Sequence, residues 1–62
     1  MEKELIRLEK KIFTVLRDIK NKKVTPKDSG IGVLINLLKS YDEPLYERIL
    51  REYKNILAEL KN

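Results

Sequence analysis

The sequence predicts an all-α fold, a short antiparallel three-helix bundle with helices at about residues 2–22, 26–41 and 43–61. Three observations lead there. Apolar residues recur at steps of three and four in three separate stretches, the spacing of a helix that buries one face. Between those stretches, "VTPKD" and "YDEP" each place a proline one or two positions after a residue able to cap a helix. The chain has 62 residues, which allows one domain, residues 1–62, at most.

The first helix rests on Leu5, Leu8, Ile12, Val15 and Ile19, which step by 3, 4, 3 and 4. Leu16 widens that seam, and Ile6 and Phe13 sit one heptad apart on its flank. Glu9 projects into the broad apolar sector. There it either meets a cation from another helix or chain, or lies at the stripe's edge and reaches water. The opposite face carries Lys3, Arg7, Lys10, Lys11, Thr14, Arg17 and Asn21. Asp18 and Lys22 are spaced as an i,i+4 pair.

The second helix has a clear start. Thr25 can cap it, Pro26 suits its first position, and Asp28 complements the dipole in its first turn. "GIGVLINLLKSY" then holds the densest apolar run. Ile31, Leu34, Ile35, Leu38 and Tyr41 face one way, and Val33 and Leu37 extend the apolar arc to roughly 200° at 100° per residue. Gly30 and Gly32 each cost about 1 kcal/mol relative to Ala inside a helix. They mark a frayed first turn or a close approach of helices, because a phosphate-binding glycine loop needs a third glycine and a preceding strand.

The third helix begins at Asp42 or Glu43, with Pro44 in its first turn. With Asp42 as the cap, Tyr41 and Tyr46 take the positions of a hydrophobic staple. Leu45, Tyr46, Ile49, Leu50, Tyr53, Ile56, Leu57 and Leu60 form an uninterrupted stripe, and Glu47–Arg51 is a well-spaced pair on the outer face. Short connections between helices make them antiparallel neighbours.

Composition narrows the function classes. A chain this size buries only ~60% of the surface its unfolded form exposes. It has no Cys and no His, which removes disulfides and the usual structural zinc sites. Regular packing, self-association or a partner is left to stabilise it. Abundant Lys, Glu, Ile and Leu, with Gln, Cys, His and Trp absent, fit a thermophile protein. Residues 1–11 are too charged for a signal peptide, and no apolar run approaches the ~20 residues of a membrane span. A cytoplasmic protein without membrane contact is expected.

No constellation points to catalysis. Ser29 and Ser40 lack a base at a recognisable spacing, and the carboxylates mostly neighbour Lys or Arg. We expect no enzyme activity, no cofactor and no metal. Residues 1–27 hold nine Lys/Arg against four Asp/Glu, a net of +5, while residues 28–62 hold five against six, a net of −1. That asymmetry points to a polyanionic partner. Lys20, Lys22, Lys23 and Lys27 cluster around the first turn, with Arg17 one turn back. They suit nucleic-acid phosphates, an acidic protein surface, or solvent alone. Single-strand stacking has no aromatic platform. A DNA-reading third helix would carry Glu47, Glu52 and Glu59 among its cations. The second candidate surface is apolar. Ile6, Phe13, Val33 and Leu37 either complete the core or form a partner surface.

Taken whole, "MEKELIRLEKKIFTVLRDIKNKK", "TPKDSGIGVLINLLKSYDEP" and "LYERILREYKNILAELKN" resemble the small all-helical accessory subunits of family-B replicative DNA polymerases in thermophilic crenarchaea. The resemblance spans the chain without a diagnostic motif, so no site residue carries over. It implies a non-catalytic subunit that binds the polymerase and steadies it on DNA. The expected function is therefore that of a small accessory protein binding a DNA polymerase or other nucleic-acid-processing machinery. The alternatives are an autonomous non-specific DNA- or RNA-binding bundle and a homo-oligomeric scaffold or regulator.

Overall fold

In a computed structural model, which describes residues 2–61, every regular element is a helix: α1 (Glu2–Lys20), α2 (Pro26–Ser29), α3 (Ile31–Tyr41) and α4 (Glu43–Lys61). Met1 and Asn62, the ends of the expected 1–62 domain, lie outside the described residues. The all-α class is as expected, but the described chain has four helices where three were expected.

The extra break falls at Gly30. Its φ of 73° and ψ of 16° place it in the left-handed region, where a continuing α-helix cannot run. The expected 26–41 helix is therefore a four-residue turn followed by an 11-residue helix. Side chains bind the two pieces together. The Thr25 hydroxyl accepts the Asp28 N–H (3.2 Å), as a cap should. The Ser29 hydroxyl donates to the Pro26 carbonyl (2.7 Å) and accepts the Ile31 N–H (3.1 Å). One small side chain thus closes α2 and opens α3. A Cβ built on either Gly30 or Gly32 meets nothing within 4 Å, so neither glycine marks a close approach of helices.

α1 ends at Lys20, short of the expected residue 22, for a reason visible in its hydrogen bonds. The Lys23 N–H donates to the Asp18 carbonyl (2.9 Å) and the Lys22 N–H to the Ile19 carbonyl (3.0 Å). Those two bonds, with Lys22 at φ 62°, make a Schellman termination. Lys22 therefore sits past the helix end, and the helical i,i+4 geometry expected for Asp18 and Lys22 does not apply. A lysine occupies a position where glycine would be free of strain. Lys22→Gly is thus expected to stabilise the protein by about 1 kcal/mol, raising the melting temperature by roughly 4–8 °C. A lower melting temperature would show that the α1 end is built differently.

Asp42 joins α3 to α4. Its N–H donates to the Leu38 carbonyl (2.9 Å), closing α3, and its Oδ1 accepts the Leu45 N–H (3.1 Å), capping α4. Asp42, rather than Glu43, is the cap. The two tyrosines beside it take separate polar partners. The Tyr41 hydroxyl donates to Glu4 Oε2 (3.2 Å), and the Lys39 ammonium lies 5.5 Å from the Tyr46 ring centre, within cation–π range.

The core draws on three helices: Leu8, Ile12, Leu16 and Ile19 from α1, Ile31, Ile35 and Leu38 from α3, and Ile49 and Ile56 from α4. Six of these nine residues are isoleucine. Leu5, Val15, Val24, Leu34, Leu45, Tyr46, Leu50, Tyr53 and Leu60 pack around them, half-buried. The α2 turn contributes no buried residue. Among the described residues, no helix is long and apolar enough to cross a membrane.

Candidate functional site

Two surfaces were legible as candidates, one basic and one apolar. Arg17, Lys20, Lys22, Lys23 and Lys27 are all exposed, yet they do not form one uniform patch. Arg17 and Lys20 line a groove between α1 and α4 whose other wall carries Glu52 and Glu59. Lys22 and Lys23 line a different groove, together with Asp28. Lys27 projects from the single turn of α2. Acidic residues therefore neighbour both pairs of cations.

Local structure gives these lysines a further physical role. Arg17 and Lys20 lie in the last turn of α1, and Lys61 in the last turn of α4. Cations there offset the partial negative charge of a helix C-terminus, typically by 0.3–1 kcal/mol each. The α2 N-terminus beside these lysines adds few free N–H groups that could hold a phosphate. α2 has four residues, and the Asp28 N–H already donates to Thr25.

The four expected partner-surface residues Ile6, Phe13, Val33 and Leu37 are all exposed, and Tyr41 joins them. They divide between two sides of α1. Ile6 lines a groove with Pro44, Leu45 and Arg48, and Phe13 one with Glu52 and Asn55, so both border α4. Val33, Leu37 and Tyr41 recur every four residues along α3, and Tyr41 reaches Glu4. At 100° per residue, Glu4 lies about 170° around α1 from Ile6 and Phe13. Glu9 is half-buried and shares a groove with Arg48 of α4.

The α3 set is the more unusual of the two. Val33 is 72% exposed. Asn36 and Ser40 complete the outer face, and Lys39 is the one charged residue of α3 in a chain that is 39% charged. Helix α3 thus presents an uncharged strip to solvent. At its end, the Glu4 carboxylate raises the Tyr41 pKa, first by accepting the phenol's hydrogen bond and then by its charge. The bond holds below pH ~10, where tyrosine is neutral in the unfolded chain, and is lost as the phenol ionises above that.

Among the described residues, no three His, Cys, Asp or Glu side chains group closely enough to hold a metal ion. Sequence reasoning missed Lys54 and Lys61. They line a groove with Pro26, which brings them to the end of the molecule where the first turn lies. Their i,i+7 spacing on the outer face of α4 gives no hint of that neighbour. No family model matches the chain, and neither a curated protein nor a solved structure matches it.

Proposed function

We propose that this protein is a small, non-catalytic interaction protein that acts in the cytoplasm by binding a larger protein through the outer face of α3. The observation that carries the reading is the exposed Val33–Leu37–Tyr41 stripe on a helix almost without charge. Depletion of charge is what distinguishes the buried centre of an interface from ordinary surface. A place in DNA replication, as a subunit of a polymerase, rests on the sequence resemblance alone. The same reading takes α1, α3 and α4 as an up-down-up unit. The Tyr41–Glu4 bond supports this, since it sets the end of α3 beside the start of α1.

Direct phosphate contact by Lys20, Lys22, Lys23 and Lys27 has less support, because Glu52 and Glu59 share the groove of Lys20, Asp28 shares that of Lys22 and Lys23, and Lys27 stands apart from both on α2. Comparing capture from the native organism by wild type and by a Val33→Asp, Leu37→Asp variant tests the α3 reading. The variant is expected to lose the partner by roughly a hundredfold or more, the scale of two interface hot spots. Its helical circular dichroism should persist, because both side chains already face water. Equal recovery of the same partner by the folded variant would sink the proposal.

A further inference from the structure

The end of the molecule where α1 and α4 finish carries something α3 lacks, an apolar floor with a basic rim. One groove of about 420 Å³ has half-buried Val24 and Leu60 on its floor, over the core residue Ile19, and Lys22 and Lys23 at its edge. A second, of about 450 Å³, adjoins it, since Pro26 and Leu60 belong to the walls of both. It adds Leu57 and Ala58 to the floor and Lys54 and Lys61 to the rim. Four lysines, drawn from two distant parts of the sequence, thus accompany one acid, Asp28.

We infer that this double groove binds a segment of a partner protein presenting apolar side chains flanked by Asp and Glu, in the form of a single amphipathic acidic helix. The inference rests on the interaction reading above but uses another face of the molecule. Charge complementarity selects the acidic flanks, and the floor requires an apolar stripe between them. Lys54 and Lys61 stand seven residues apart on α4, about 10 Å. That span matches two turns of a bound helix with anchors at i, i+3 or i+4, and i+7. Duplex DNA offers phosphates but nothing to cover Leu57, Leu60 and Val24. A flat anionic membrane would reach the lysines but would not follow the groove past Pro26, where Val24, Leu57 and Leu60 are half-buried.

The test uses the intact chain and a synthetic amphipathic helical peptide with Leu at i, i+3, i+4 and i+7 and Glu between. Backbone amide resonances of Val24, Leu57, Ala58 and Leu60 are followed during titration. The Glu peptide is expected to move them, and more weakly as salt rises. A peptide with Lys in place of Glu should not move them. Lys54→Glu with Lys61→Glu should weaken binding on the order of tenfold or more, and the gentler Lys54→Gln, Lys61→Gln pair by less, with the helical spectrum retained in both. Unmoved amides, or equal binding by the charge-reversed variant, overturn the inference. So does a stronger response of the same amides to duplex DNA or to phosphatidylglycerol vesicles. The Val33→Asp, Leu37→Asp variant should bind the Glu peptide like wild type. Loss of the captured partner by that variant, with no peptide binding by wild type, would therefore refute this groove and leave the α3 reading intact.

Discussion

Ile49→Ala is expected to cost about 2–5 kcal/mol, the range for truncating a buried isoleucine. Ile49 is 2% exposed and belongs to the one cluster shared by α1, α3 and α4. Its loss opens a void between three helices that cannot all close on it. Total stability of small domains is about 5–15 kcal/mol, and a chain of 62 residues belongs at the low end of that range. The variant should therefore melt far below wild type or be partly unfolded at room temperature. Thermal and urea denaturation followed by circular dichroism measure this. An unchanged midpoint would mean that α4 does not pack on the core through Ile49. Ile56→Ala should act in the same direction and by less, because Ile56 is already 8% exposed.

Gly30→Ala should destabilise by about 1–2 kcal/mol, purely through the backbone. There is room for the added methyl, since nothing lies within 4 Å of it. The penalty comes from φ 73°, which L residues rarely adopt. A fall of roughly 4–15 °C in the melting temperature follows. Gly32→Ala is the control with the opposite sign. Gly32 lies inside α3, also has open space around it, and should gain about 0.5–1 kcal/mol from better helix propensity. If both substitutions shift the midpoint the same way, the chain does not break at Gly30.

Much of the fold was legible because periodicity is a strong signal over long stretches. The α1 seam from Leu8 to Ile19 and the α4 stripe around Ile49 and Ile56 are the buried faces the spacing implied. The Thr25 and Asp42 caps were legible because their chemistry is local. What was not legible depends on one backbone angle. Thr25–Pro26 signals a helix start, and nothing in "KDSGIG" says that the helix stops after four residues and starts again. Glycine permits the left-handed turn without requiring it. The Schellman end of α1 was hidden for the opposite reason, since Lys22 is not a residue type that announces it.

The candidate surfaces were legible residue by residue but not as places. Wide apolar coverage of the second helix singled out Val33 and Leu37 but left open whether the core takes them up, and both are exposed. The division of the apolar set between two sides of α1 required knowing which flank meets α3 and which meets α4. Charge asymmetry drew attention to Lys22 and Lys23, but their grouping with Lys54 and Lys61 depends on the α4 end arriving beside Pro26. Sequence separation conceals that contact completely.

The prevalence of isoleucine in the core bears on how singular the folded state is. A β-branched side chain on a helix is held largely to one χ1 rotamer before any tertiary contact forms. Ile12, Ile19, Ile31, Ile35, Ile49 and Ile56 thus enter the interior nearly pre-set in shape. Less side-chain freedom remains to be lost at closure than with methionine or other long flexible residues. Alternative interdigitations are also fewer, since rotating one isoleucine to fill a neighbour's gap is strained. A chain with so little interior obtains its uniqueness from stiff pieces rather than from many of them.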